Sequence, residues 1–273
     1  MNETFDHDGP KRLRHRGFDL RLEGGISADE ARGLVDRVLA SSGDRIGIVV
    51  ARPEPPGGHV YLKAEFRRPD QPLGKRLRPG RAVAEGRGYR FFAAAGLRVP
   101  RLLLFGEQPR LLPRAGALVG TERVPGRNAA RTFEAERTLE PVLDAVTALA
   151  RVHDAGLVHG DAALRNFVPA PGGAYVLDLP RWAEWTPDGV LRDLRYLVGS
   201  TWKHGAARET GEALLDAYAA ACARAAELPE GWRGAALAAA AAYLEYLDER
   251  DRTRAERHAR RAGSLRPGER GAD

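Results

Sequence analysis

The sequence predicts a mixed α+β protein in two lobes. Two observations lead there: up to about residue 123 the chain reads mostly as apolar strands with one or two helices, and from Ala135 it changes to long Ala/Leu helices. A length of 273 residues with 43% hydrophobic content is enough for a core in either one large domain or two lobes sharing a cleft. The expected division is a flexible N-terminus over 1–16, a first lobe over 17–123, a second over 124–250 and a charged tail over 251–273.

The first 16 residues are polar and charged, which predicts mobility. Ser27 to Ser41 opens with a capping-box pair, Ser27 and Glu30, each able to satisfy a free backbone amide, and continues at helical spacing. "RIGIVVAR" and "HVYLKAEF" read as strands joined by the turn "PEPPGG", followed by a charged loop over 67–80. "GRAVAEGRGYRFFAAAG" reads as a helix ending at Gly96, and "VPRLLLFGE" and "GALVGTERV" as two more strands. In the second half a helix runs from about Ala135 to Ala155, interrupted or restarted at Pro141. Later helices cover about Gly211 to Glu227 and Trp232 to Arg250. Between them lie "GLVHGDAALRNFV" and a hairpin, "GGAYVLDLPRW". The run "ALAAAAAY" needs only its helix propensity. After Asp248 the chain becomes a charged helix fraying into a tail, with seven arginines and two acids from Arg250 to Arg266.

Composition excludes several classes of function. The longest apolar stretch, Ala235 to Leu244, is too short to span a bilayer, and the N-terminus has no apolar signal core, so a cytoplasmic protein is expected. One cysteine, Cys222, excludes an internal disulfide and a cysteine-based zinc site, and is expected in the core. The net charge is +6, and eight basic residues from Arg67 to Arg90 face only Asp70 and Glu85. Such a segment is either a solvated face or a surface attracted to phosphates, anionic lipid or nucleic acid. No aromatic interleaving accompanies it, so no nucleic acid is expected. Only Lys11, Lys63, Lys75 and Lys203 are lysines; the other 39 basic residues are arginines, which draws attention to Lys63 in the middle of a strand.

Moving a phosphoryl group requires an acceptor for the hydroxyl proton, oxygen ligands for Mg²⁺, a cation for the nucleotide phosphates and a carboxylate to hold that cation. Asp161 of "HGD" suits the first task. Asn166, five positions on, and Asp178 of "VLDL", twelve further, suit the second. Lys63 suits the third, and Glu85, 22 residues later on the next helix, suits the fourth. Other readings of these residues exist. Lys63 could be a strand-edge gatekeeper, Glu85 a surface ion pair, and His153, Asp154 and His159 part of a phosphohydrolase-type metal set that lacks its further ligands.

These four motifs, in this order, resemble the signature set of the protein-kinase-like superfamily. The resemblance covers about residues 45 to 200. "LVGTERVPG" resembles the hinge between kinase lobes, which implies that backbone groups of Thr121, Glu122, Arg123 and Val124 bind the adenine edge. Regulated protein kinases usually carry an arginine before the base and a lysine two positions after it, where this chain has Gly160 and Ala163. Only 15 residues separate Asp178 from Asp193, and no APE-like motif lies there. Within the superfamily, "YLKAEFRR", "AEGRGYRFFAAAGLRVPRLLLFGE", "TERVPG", "LVHGDAALRNFV", "LDLPRW" and "RDLRYL" look like the lipopolysaccharide kinases, the bacterial Kdo and heptose kinases.

That resemblance implies ATP and Mg²⁺ as cofactors, Asp161 as base, Asn166 and Asp178 as metal ligands, and Lys63 with Glu85 as the phosphate-binding pair. It implies an anionic glycolipid acceptor, with peripheral contact at the inner face of the membrane through Arg67 to Arg90. The chain departs from the pattern in three places. No GxGxxG precedes Lys63, only Gly57 and Gly58; Ala162 replaces the usual leucine; and Pro180 stands where glycine or an acid is common. A small-molecule kinase of the aminoglycoside phosphotransferase type, an atypical Ser/Thr protein kinase and a non-catalytic pseudokinase are the alternatives.

Overall fold

Alternating apolar residues build the first lobe around a six-stranded antiparallel sheet in the order β1-β2-β5-β6-β4-β3. A computed structural model describes residues 11–264 apart from 24, 42, 53–57, 68, 69, 71, 73, 75, 76, 111, 113 and 114; residues 45 and 258–264 are described by backbone only. Strand β1 (Lys11–His15) pairs with β2 (Phe18–Leu22) across a turn whose Arg16 and Gly17 both have positive φ. This corrects the expected flexible terminus for residues 11–16. The one apolar side chain of "KRLRH", Leu13, lies opposite the fully buried Leu20, and strand pairing orders the charged residues around it. Residues 1–10 lie outside the described residues.

Helix α1 (Ala28–Ala40) starts at Ser27, whose Oγ accepts the Glu30 amide at 3.1 Å. The reciprocal half of the capping box is absent, because the Glu30 carboxylate binds the buried Arg52 guanidinium at 2.7 and 3.0 Å. Strand β3 (Arg45–Ala51) pairs with β4 (His59–Phe66), whose alternation buries Val60, Leu62 and Ala64 and turns Tyr61 and Lys63 to the other face. Most of the expected turn, including Gly57, lies outside the described residues. Helix α2 (Arg81–Ala94), β5 (Leu102–Glu107) and β6 (Gly116–Glu122) complete the lobe. One apolar core lies between α1 and one face of the sheet. On the other face, α2 packs on Phe105, Ala117 and Val119, and this core runs on into the second lobe.

The second lobe is helical, as expected. The helix expected over Ala135 to Ala155 is two: α3 (Ala129–Glu136) ends at the left-handed Arg137, and α4 (Glu140–Asp154) restarts with Pro141 in its first turn, where a missing amide costs nothing. Then come β7 (Leu157–Val158), a 3-10 turn (Leu164–Asn166), β8 (Phe167–Val168), β9 (Tyr175–Val176) and β10 (Ala183–Glu184). The hairpin expected within "GGAYVLDLPRW" does not form as such: its strand β9 pairs back with β8 of the preceding stretch, and β10, just beyond it, pairs with β7. Helices α5 (Pro187–Lys203), α6 (Thr210–Ala221) and α7 (Trp232–Ser264) follow; α6 stops short of Glu227 and the chain continues as a 3-10 turn. Helix α7 carries regular structure fourteen residues past Arg250, so much of the expected tail is helix; residues 265–273 lie outside the described residues. Cys222 is free and buried, as expected. Among the described residues no helix is long and apolar enough to cross a membrane.

Candidate active site

Lys63 sits at the centre of a closed polar circuit between the lobes. Its Nζ donates to Glu85 Oε1 at 2.7 Å and to Asp178 Oδ1 at 3.1 Å. The Tyr89 hydroxyl donates to the same Glu85 oxygen at 2.9 Å and accepts the Asp178 amide at 3.2 Å. Glu85 is therefore no surface ion pair, and Lys63 no edge gatekeeper, since its strand is paired on both sides. Burial works against charge on Lys63, but Glu85 and Asp178 outweigh it and hold its pKa above the ordinary lysine value. Burial lifts Glu85 above the usual glutamate value, while for Asp178 the attraction of Lys63 overcomes burial and lowers it. Asp178 has φ 57, a left-handed conformation that aspartate tolerates better than most residues. Tyr89 was not picked out from the sequence. The signal was its position four residues after Glu85, one helical turn away.

The loop 156–168 is fixed from beneath by Asp193, fully buried on α5. Its two oxygens accept the His159 amide at 2.7 Å and the Gly160 amide at 2.8 Å, and His153 Nε2 lies 3.3 Å away. Ser200 Oγ, two turns on, accepts the Leu164 amide at 2.9 Å. The His159 ring donates from Nε2 to the Leu177 carbonyl at 2.9 Å and accepts the Asp161 amide on Nδ1 at 3.3 Å; burial keeps the ring neutral by lowering its pKa. Asn166 donates its side-chain Nδ2 to the Asp161 carbonyl at 2.7 Å, and its own carbonyl accepts the Leu177 amide at 2.8 Å. Leu177 is thus held on both sides, and the loop bearing Asp161 and Asn166 is tied to the segment bearing Asp178. The His153, Asp154 and His159 metal set is excluded, because His153 bonds Tyr218 and Asp193 while Asp154 receives Cys222 and the Arg224 amide. In the sequence Asp193 served only to mark the end of the segment after Asp178 and within "RDLRYL", without a role, and Ser200 was passed over; the roles of both depend on contacts 33 to 36 residues away.

Gly160 has φ 80, and a Cβ there would stand 2.1 Å from the Arg181 carbonyl. No side chain fits, so the glycine before Asp161 is a consequence of how closely the segment after Asp178 crosses the loop. That segment is strapped down in its middle: Trp182 Nε1 donates to the Ala84 carbonyl at 3.2 Å and its ring packs on Phe91 at 4.6 Å, and the next two residues, Ala183 and Glu184, pair with β7. Ala162 and Ala163 are fully buried, and Pro180 lines the pocket beside Lys63.

Two adjoining pockets share Tyr61 and Lys63. One lies between β3, β4, α2 and Asp178 and includes Arg81, which contributes to the lowered pKa of Asp178. The other is lined by Thr121, Glu122, Arg123, Val124, Arg165 and Leu177. In the expected hinge, Thr121 is buried within the sheet, and the amides of Glu122 and Arg123 already donate to Arg101 and His59 at 2.9 and 2.8 Å. Among the described residues, the Val124 amide has no such backbone partner. Arg165, also unforeseen, reaches the Asp161 carboxylate at 3.3 Å.

The basic segment is not one outward face. Arg67 is buried and bonded to the Arg78 carbonyl, Arg81 faces the pocket, and Arg90 lies 3.5 Å from Glu23. Arg68, Lys75 and Arg76 lie outside the described residues. Among the described residues no three His, Cys, Asp or Glu side chains converge as a metal site. Asn166 gives its Nδ2 to the Asp161 carbonyl and Asp178 Oδ1 accepts from Lys63, and the remaining side-chain oxygens of both are of the donor type that Mg²⁺ takes.

No family model and no curated protein matches the chain. Among solved structures, WaaP in complex with acyl carrier protein overlays with a TM-score of 0.54 at 19% identity, covering 85% of this chain and 98% of that one. The chain has a protein-kinase-like fold. The amicoumacin kinase hAmiN in complex with AMP-PNP and Ca²⁺ also matches, at 14% identity over 77% of this chain and 83% of that one, with a TM-score of 0.49. In the kinase-like frame, the sheet with α1 and α2 is the smaller lobe, residues 122–128 cross to the helical lobe, and the two pockets lie in the cleft between them.

Proposed function

We propose that the protein is an ATP- and Mg²⁺-dependent kinase that phosphorylates a hydroxyl on a lipopolysaccharide core sugar, Kdo or heptose. The observation that carries the kinase reading is the joining of Lys63, Glu85 and Asp178 from three distant segments into one bonded set, with Asp161 and Asn166 tied to it through Leu177. The acceptor rests on the resemblance of "LVHGDAALRNFV", "LDLPRW" and "TERVPG" to the lipopolysaccharide kinases. The overlay with WaaP, at 19% identity, supports the kinase-like fold that this resemblance implies.

Asp161 accepts the proton as the acceptor oxygen bonds to the γ-phosphorus and the bond to the β-phosphate oxygen breaks, releasing ADP. Lys63, steadied by Glu85, holds the nucleotide phosphates, and Arg81 adds a second cation on that wall. Asn166 and Asp178 would hold Mg²⁺, which would neutralise charge on the phosphates when bound. Val124 offers its amide to the adenine edge, with Thr121, Glu122 and Arg123 forming the wall there. Arg165 supplies the positive charge next to the base that a lysine two positions after it gives in regulated protein kinases, where this chain has Ala163. Contact with an anionic membrane surface belongs to the same reading; among the described residues within Arg67 to Arg90, Arg78, Arg81, Arg87 and Arg90 are exposed, with Arg81 lining the pocket and Arg90 facing Glu23. Vesicle sedimentation at two salt concentrations tests it.

The decisive experiment incubates the protein with labelled ATP and a panel of lipid A precursors, aminoglycosides and proteins. Label is expected on the Kdo- or heptose-bearing acceptor, and Asp161→Asn is expected to lower kcat by about 10² to 10⁴. Label on an aminoglycoside or a protein alone would reject the acceptor, and MgATP binding without turnover would make the chain a pseudokinase.

A further inference from the structure

Helix α5, which contacts the loop bearing Asp161 through Ser200, packs on α7, and the two carry a cluster of tyrosines and arginines. Ser200 bonds the Leu164 amide, so α5 runs directly under the loop, and Tyr196 lies one turn before Ser200. The Tyr196 ring meets Tyr243 of α7 edge to face at 4.8 Å, and Tyr243 stacks on Tyr246 at 6.3 Å with 24° between the planes. The Arg195 guanidinium lies 4.7 Å from the Tyr196 ring centre and 5.8 Å from that of Tyr243. Burial raises the Tyr243 hydroxyl pKa, and its next largest influences are the charges of Arg165 and Asp161, which places this ring within electrostatic reach of the base.

The cluster is incomplete. Tyr246 is 59% exposed, and the Arg195 Nε is buried with no hydrogen-bond partner. On α7, Tyr243, Tyr246, Arg250 and Arg254 recur at i, i+3, i+7 and i+11, so they share a face, while Glu245 and Glu249 point elsewhere and Asp251 is taken by Lys203 and Arg250. Exposed aromatic faces give flat apolar contact to the C–H side of a sugar ring, and arginines over them bind carboxylate or phosphate. A polycationic aminoglycoside would meet like charge from Arg165, Arg195 and Arg250.

We propose that Tyr196, Tyr243 and Tyr246 with Arg195 and Arg250 form the acceptor subsite, and that it takes a sugar bearing a carboxylate or phosphate. The rings position the sugar over Asp161, and the arginines select its negative charge. This rests on the kinase reading for the identity of Asp161 as base, yet sugar binding is measurable without turnover.

The test is calorimetric titration of the full chain with Kdo, with its neutral methyl ester, with glucose 6-phosphate and with kanamycin, and separately with MgATP. Kdo or glucose 6-phosphate is expected to bind at least tenfold more tightly than the ester and kanamycin, and which of the two binds identifies the anion. Tyr246→Ala, at an exposed position, and Arg195→Gln are each expected to weaken that binding about tenfold or more; Tyr243→Phe retains it, because the ring face makes the contact. Failure of both anionic sugars to bind, equal binding of kanamycin or the ester, or unchanged affinity in both Tyr246→Ala and Arg195→Gln would overturn the proposal, whatever MgATP does. Sugar binding without MgATP binding would remove the kinase reading and leave the subsite standing.

Discussion

Single residues decide how rigidly the candidate base is held. His159 is buried, and both its ring nitrogens are used by neutral partners, so the folded protein resists protonating it even with Asp193, Asp161 and Asp178 nearby. The folded-state pKa is lowered, so the unfolded chain takes up this proton first as pH falls. The stability linked to His159 is therefore complete above the ordinary imidazole value of about 6.5 and is lost progressively below it. Urea midpoints measured at several pH values are expected to fall below about pH 6.5 in the wild type and to fall less steeply in His159→Gln. A slope unchanged by the substitution would assign the acid sensitivity to other groups. Gly160 is decided at the same scale. The chemistry before Asp161 is set by the Arg181 carbonyl, which occupies the space an arginine side chain would need.

Among the elements, α2 is the one whose placement matters most to the site, and glycines set it. A Cβ at Gly86 would stand 2.5 Å from the Phe105 ring, and one at Gly88 would stand 2.7 and 2.8 Å from Trp182 and Leu179. The helix therefore lies close both to the sheet and to the residues following Asp178, and Glu85 reaches Lys63 from there. Gly86→Ala gains helix propensity of about 1 kcal/mol, but overpacking of this kind costs typically about 1 to 3 kcal/mol. The expected outcome is a lower melting temperature together with weaker MgATP binding, since any outward shift of α2 lengthens the Lys63–Glu85 bond. Unchanged nucleotide affinity would show that the helix adjusts without moving Glu85. The segment from Asp178 to α5 is short, and consecutive residues in its middle bond α2 and β7, which braces the site.

For the whole molecule, the consequence is coupling between lobes. The core under α2 continues into the helical lobe, and Lys63 reaches across to Asp178. A ligand in the cleft binds only the folded protein, so MgATP at about 100 times its Kd is expected to stabilise the chain by about 2.7 kcal/mol. Scanning calorimetry should register this as a rise in Tm of about 5 to 10 °C. Tripolyphosphate with Mg²⁺ should give a smaller rise, because it leaves the wall at Val124 without a partner.

Read alone, the sequence determined the two-lobed α+β plan, the strand bearing Lys63, the helix bearing Glu85 and the loop bearing Asp161 and Asn166. These follow from local signals: period-two alternation, helical spacing and a few unusual residue types. The β1–β2 hairpin was hidden because Leu13 is a lone apolar residue among charges, and only pairing with β2 gives its strand a reason to form. Tyr89, Asp193, Ser200, Arg165 and the tyrosine–arginine cluster were ordinary letters in their helices and loops. Their significance comes from contacts between segments tens of residues apart, which local periodicity does not encode. Tertiary structure alone decided why a glycine stands before Asp161 in "GLVHGDAALRNFV": the chain after Asp178 passes so close that no Cβ fits.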